Sequence, residues 1–222
     1  MTTLVFNGWA AGPETWELCT FRHDWVFDYV EQLDGLPEKV IEDFDEVVLV
    51  GFSMGGSSAL RMMLRHPEKV RGMVLVSSSP CMMEERRNNG DGTRGEVVWR
   101  GMSRHRLDAF RFGTRMIFAD DPSPVYDPVS MDRGIEYLLS TDIRSELLKF
   151  SESEDNTNFP VSIFQSECDG IVKPNNAEFL KRVFPHARLT MIPGCEHVLP
   201  VTIPELIDEA VTAIVNSTRR GE

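Results

Sequence analysis

No stretch of this sequence is apolar for long enough to cross a bilayer. The longest apolar runs, such as Val47–Val50 and Met73–Val76, fall far short of the roughly 20 residues that a spanning helix needs. Met1 leads straight into a strand-like run, with no basic stretch followed by an apolar one. A secretory signal is therefore not expected, and the expected location is cytoplasmic. Cysteine is scarce as well. The four residues Cys19, Cys81, Cys168 and Cys195 show no C-x-x-C spacing, so neither a metal site nor a redox motif is indicated, and no cofactor is expected. A chain of 222 residues buries enough surface to fold without staples. The expectation is therefore free thiols in a reducing compartment, although the fold inferred below would bring Cys168 and Cys195 close together. Internal repeats and low-complexity segments are absent. Positive charge is in deficit, with 23 Lys and Arg against 35 Asp and Glu and a net charge of −12. Nucleic acid and anionic membranes are thus poor partners for the molecule as a whole.

What remains is an ordinary globular composition, 41% apolar and 26% charged, at a length suited to one domain. Short β-branched runs alternate with amphipathic helical stretches, a pattern that predicts a mainly parallel sheet with helices on both faces. Strands are expected at Leu4–Phe6, Trp25–Val30, Val47–Phe52, Gly72–Ser77, Val161–Gln165 and Leu189–Ile192. Helices are expected at Ser53–Arg65, Asn175–Val183 and Pro204–Asn216; Pro67 ends the first and Pro204 suits the first turn of the last. Residues 81–155 interrupt the alternation. They are polar, arginine-rich and helical in pattern, an insertion between two strands of a core formed by residues 1–80 and 156–222.

The most specific local pattern is Gly51-Phe52-Ser53-Met54-Gly55-Gly56. It places a serine between a strongly apolar strand and a helix, with glycine two residues to either side. A chain that reverses so sharply tolerates no bulk at those flanks, and it pushes the serine hydroxyl into the open. A serine at a helix start also faces backbone N–H groups and the positive end of the dipole. The pattern alone would equally describe a serine that merely caps a helix; its strand–turn–helix setting favours a nucleophile.

A serine nucleophile needs a base, and the base an orienting acid. Of five histidines, His23 falls in a short loop, His66 at a helix end, His105 in the insertion and His186 at a helix exit. His197 follows the last strand. In a parallel sheet that loop opens on the same edge as the Ser53 turn, so His197 is the expected base. Asp169 occupies the loop after Val161–Gln165 and is the expected acid, with Glu167 as competitor two residues away. The developing oxyanion needs two fixed donors. The backbone N–H of Met54 is one candidate, and that of Trp9, after the first strand, is the other.

These residues resemble α/β-hydrolases, in which serine, acid and histidine follow in this order. Ser78-Ser79-Pro80-Cys81, Gly134–Arg144 and Cys168-Asp169-Gly170-Ile171-Val172 are further similar to the pimeloyl-[acyl-carrier protein] methyl ester esterases of biotin synthesis, the BioH type. Two features depart from that family. Asn7-Gly8 stands where relatives have His-Gly, and the stretch from Trp9 to Ser53 is shorter than usual, suggesting a trimmed helix. The resemblance implies that residues 81–155 form a helical lid. It also implies a small acyl ester substrate presented by an acidic acyl carrier protein.

Residues 86–118 hold eight arginines against Asp91, Glu96 and Asp108, a balance of +5 in a chain whose remainder carries −17. On a helical wheel Arg100, Arg104, Arg111 and Arg115 fall within about 60° of one another. Such a row suits an acidic partner, and equally a solvated face. The expected activity is removal of a methyl ester from a carrier-linked acyl chain. Alternatives are a general carboxylesterase or thioesterase, a cofactor-free haloperoxidase using the same three residues, and a non-catalytic binding module.

Overall fold

Val47–Phe52 (β3) is apolar at nearly every position, and in the computed structural model every one of its residues is buried. A parallel strand covered on both faces reads in just this way. The structure describes residues 1–81, 128–153, 159–194 and 196–219. Among them, β3 lies inside a six-stranded sheet with Thr2–Phe6 (β1), Trp25–Phe27 (β2), Val70–Val76 (β4), Val161–Ser166 (β5) and Arg188–Ile192 (β6). The order is β2-β1-β3-β4-β5-β6, and every neighbouring pair is parallel. The chain runs from β1 outward to β2, then crosses back to β3 on the other side of β1. The winding therefore reverses between β1 and β3, and the crevice at their carboxyl ends is where such sheets bind ligands.

Alternate residues of each strand feed opposite faces. Leu4, Phe6, Val47, Leu49, Met73 and Leu75 join one apolar cluster with Leu60 and Met63 of helix α3 (Met54–Arg65). Val5, Val48, Val50, Val74 and Val76 join the other with Trp16 and with Ile207, Val211 and Ile214 of the last helix, Pro204–Arg219. These stripes follow the period of two in the strands and of 3.6 in the helices.

One expectation changes. The strand expected over Trp25–Val30 ends at Phe27, because the Asp28 carboxylate accepts the Glu31 N–H while Glu31 accepts that of Asp28. This capping box opens helix α1 (Tyr29–Leu33), which is followed by α2 (Leu36–Val40). Between β1 and β2 there is only a 3-10 turn, Pro13–Trp16. Of the expected insertion, the structure describes 128–153: helix α4 (Pro128–Ser140) and helix α5 (Arg144–Ser151). Leu147 and Phe150 of α5 lie in the main cluster beneath α3, so α5 packs with the body. Asn175–Val183 (α6) covers the same face, and the short helix Leu199–Thr202 (α7) precedes the last helix, α8 (Pro204–Arg219).

His23 sits edge-on to Phe21 at 4.2 Å, and its Nε2 is buried without a hydrogen-bond partner. Burial pushes its pKa below the ordinary value, against an opposing pull from Asp208. The unfolded chain then binds a proton near pH 6.5 that the folded chain refuses, so stability falls as pH drops from about 6.5 toward the lowered folded value. His23→Phe is expected to flatten that fall, measured as melting temperature across this range. Parallel wild-type and variant curves would remove His23 from the account.

Candidate active site

Ser53 leaves β3 with φ 54° and ψ −119°, a left-handed conformation rare outside glycine. Its N–H donates to the Val76 carbonyl of β4 at 2.9 Å, which holds the turn on the sheet. The flanking glycines are sterically required. A methyl on Gly55 would lie 2.1 Å from the Phe6 carbonyl oxygen, and one on Gly51 would lie 2.6 Å from the Gly56 Cα. Both obstacles are backbone and have no rotamer by which to move aside. The consequence is a hydroxyl held at the head of α3 beside the end of β1.

His197 Nε2 stands 3.0 Å from Ser53 Oγ, and His197 Nδ1 stands 2.7 Å from Asp169 Oδ2. Asp169 is 1% exposed, so its carboxylate must be satisfied internally. Its Oδ1 accepts the N–H groups of Ile171 at 2.7 Å and Val172 at 3.0 Å, which leaves Oδ2 aimed at the imidazole. Gln165 supports the same loop, donating to the Val172 carbonyl at 3.0 Å. Ser166 donates its hydroxyl to the Glu196 carbonyl, fixing the chain just before His197. Phe52 packs tilted against the imidazole at 5.2 Å. Glu167, the competing acid, is exposed. The arrangement is a hydrogen-bonded line from buried carboxylate through imidazole to hydroxyl. Chemically it can deprotonate the serine as the serine attacks a carbonyl carbon.

Residues 21–201 match the family model of Hydrolase_4 (serine aminopeptidase, S33), an α/β-hydrolase family. The chain belongs to this family. Among curated relatives, the pimeloyl-[acyl-carrier protein] methyl ester esterase of Nitrosomonas europaea is 26% identical over 204 residues, 79% of this chain and 74% of the relative. The protein of the same name from Salmonella typhi is 27% identical over 192 residues, 78% of this chain and 71% of its own. Among solved structures, a hydrolase from Oleispira antarctica superposes with a TM-score of 0.74 at 18% identity, covering 97% of this chain and 90% of its own. An esterase from Exiguobacterium antarcticum superposes with a TM-score of 0.70 at 18% identity, covering 97% and 92%. The chain is thus a hydrolase of the α/β-hydrolase type.

In this α/β-hydrolase the loop after β1 is anchored from two sides. Asn7 is fully buried and accepts the Trp16 indole N–H on Oδ1 at 2.6 Å. The Trp9 indole N–H donates to the Met131 carbonyl of α4 at 3.1 Å. Gly134, one turn further along α4, leaves room for that indole: a methyl there would lie 2.4 Å from Trp9 Cδ1. Sequence reasoning missed Asn7, Gln165 and Ser166. The last two carried a faint signal, as adjacent polar residues closing a strand otherwise buried on both faces.

The remaining candidates fall elsewhere. His66 pairs with Glu38 at 3.0 Å, His186 is exposed, and His105 lies outside the described residues. So do Arg100, Arg104, Arg111 and Arg115. The expectation of four free thiols is corrected at Cys168, which is disulfide-bonded. Its N–H donates to the Gly194 carbonyl at 3.2 Å, so the loops leaving β5 and β6 run side by side. Cys19 and Cys81 are buried and outside any disulfide, while Cys195 lies outside the described residues. No group of three or more metal-ligating side chains occurs among the described residues, and no helix there is long and apolar enough to cross a membrane.

The elbow predicts a contrast between two glycines. Gly55→Ala drives a methyl into the Phe6 carbonyl and should cost more than about 2 kcal/mol, a fall in melting temperature of roughly 4–8 °C for a chain of this size. Gly170→Ala, with nothing within 4 Å of the added carbon, should stay near wild type. Equal shifts for both in a thermal melt would sink the close-approach account.

Proposed function

We propose that this hydrolase cleaves carboxylic esters with Ser53 as nucleophile, His197 as base and Asp169 as its orienting acid. The observation that carries the reading is the continuous line from Asp169 through His197 to Ser53. Ser53 Oγ attacks the acyl carbonyl carbon and His197 Nε2 takes its proton. The tetrahedral oxyanion falls to the backbone N–H groups of Met54 and Trp9. Met54 opens α3, so its N–H is one of the leading groups without an acceptor inside the helix. Collapse breaks the ester C–O bond, and His197 returns the proton to the departing alcohol. A water, deprotonated by the same imidazole, then splits the acyl-serine ester to release the acid and restore the serine.

The preferred substrate is a methyl ester at the end of an acyl chain held on an acidic carrier protein. Supporting this are the names of the curated relatives and the basic segment 86–118 on an otherwise acidic chain. In this reading the lid comes from within residues 81–155, and Arg100, Arg104, Arg111 and Arg115 receive the carrier. The setting is cytoplasmic, where such carriers and their substrates meet.

A methyl-pimeloyl carrier thioester tests this directly. Wild type should release methanol and leave the thioester intact, and Ser53→Ala should fall by about 10⁴-fold or more. Release of the carrier thiol in place of methanol would make the enzyme a thioesterase. No cleavage of this substrate, alongside rapid turnover of short nitrophenyl esters, would make it a general carboxylesterase.

The Trp9 anchor adds a second test. Gly134→Ala crowds the indole and so displaces the loop that carries the Trp9 N–H. Loss of one oxyanion donor costs about 10²–10³ in kcat, so a partial displacement should lower kcat on a nitrophenyl ester by about tenfold with KM little changed. An unchanged kcat would detach α4 from the oxyanion site.

A further inference from the structure

Residues Ser58, Arg61 and Arg65 recur along one face of α3, about one and a half to three turns from Ser53. With Gln32 and Glu38 from the α1–α2 segment and Tyr137 from α4, they line a cavity of about 250 Å³ that plays no part in the chemistry above. Two buried polar atoms of this lining lack any hydrogen-bond partner: Arg61 Nε, a donor, and Gln32 Oε1, an acceptor. Buried atoms of this kind are few in native proteins, and each calls for a partner.

The charges around the cavity are unequally matched. Glu38 is taken, bridging Arg65 and the His66 imidazole. Arg61 has no carboxylate within ion-pairing distance among the described residues. Its guanidinium lies 5.4 Å from the centre of the Tyr137 ring and reaches the Thr141 hydroxyl only at 3.5 Å. The Ser58 and Tyr137 hydroxyls, 3.4 Å apart, supply further rotatable groups. Gln32 is held in place from its other end, where Nε2 donates to the Asn7 carbonyl at 2.9 Å and the Phe27 carbonyl at 3.1 Å. Its Oε1 is thereby fixed as an acceptor.

The geometry points to a binding site for a small oxyanion that also carries an O–H donor, the chemistry shared by inorganic phosphate and a hydroxycarboxylate. The anionic oxygens accept from Arg61 and from the two hydroxyls, and the ligand's own O–H donates to Gln32 Oε1. An arginine prefers such planar or tetrahedral oxyanions to other anions, because its fork of N–H groups fits them. The acceptor in the same lining adds a second requirement, since an anion without a proton to donate leaves Gln32 unsatisfied.

Two pairs of probes isolate that requirement. Inorganic phosphate near neutral pH carries a P–O–H that sulfate lacks, and glycolate carries an O–H that acetate lacks. Titrated at matched ionic strength, phosphate or glycolate should bind saturably, at least about tenfold more tightly than its donorless counterpart. The tighter of the two identifies the phosphate or the hydroxycarboxylate source. Arg61→Met should weaken binding by at least about tenfold. Should that variant fold poorly, the wild-type protein still decides the matter by NMR: the Arg61 Nε–H and Gln32 side-chain resonances should move with the ligand. Binding at the oxyanion site instead would move the Met54 amide and leave Arg61 untouched, which overturns the proposal. Equal binding of each pair, or no saturable binding by any probe, overturns it as well.

Discussion

At Gly55 the first turn of α3 lies so close to the end of β1 that a single added carbon would sit 2.1 Å from the Phe6 carbonyl. That contact sets the position of the candidate site. It presses the helix start against the sheet edge, next to the left-handed turn at Ser53, and Met54 packs in one apolar cluster with Trp9 and Ala10. The winding of the sheet also reverses here, between β1 and β3, so the crevice opens where the hydroxyl emerges. His197 and Asp169 reach it from the other side, on loops leaving β6 and β5 at the same edge. Moving any of these loops by an ångström would break the line from carboxylate to hydroxyl.

Much of this was legible in the sequence because the signals are local or topological. The elbow is six consecutive residues between an apolar strand and a helix. The loops bearing Asp169 and His197 follow strands of a parallel sheet, and such loops share an edge. What was not legible depends on pairs far apart in the chain. Trp9 meets Met131 across 122 residues, and Ser166 meets Glu196 across 30. Nothing within either neighbourhood announces the other. Asn7 stands out in the sequence only through the family resemblance, and the structure has it holding the Trp16 indole. The second strand reads too long in the sequence for a different reason. Its β-branched and aromatic residues continue to Val30, but the Asp28–Glu31 capping box commits the backbone to helix first. Cys168 reads as a free thiol because composition and compartment argue only for averages, whereas in the structure it is disulfide-bonded and its N–H meets the Gly194 carbonyl of a neighbouring loop.

Helix α4 gathers several of these threads. Its Met131 carbonyl and Gly134 hold the Trp9 indole, and Met131 and Leu138 pack with Ala10, Tyr29, Met54 and Val172 in one apolar cluster over the crevice. Three residues past Gly134, Tyr137 faces Arg61 and Ser58 across the second cavity. One helix thus touches the loop after β1 along one stretch and the arginine-lined pocket along another. Nothing flexible is needed between them, since both contacts fall within two turns of a rigid element.

The left-handed backbone at Ser53 also restricts which side chains can stand there. A branch at Cβ is penalised far more heavily in that region than an unbranched side chain. Threonine, chemically the nearest relative of serine, is therefore the wrong replacement, whereas cysteine or aspartate fits the same backbone. The elbow acts as a conformational sieve on reactivity. It keeps open the exchange of an oxygen nucleophile for sulfur or a carboxylate and closes the path to a secondary alcohol.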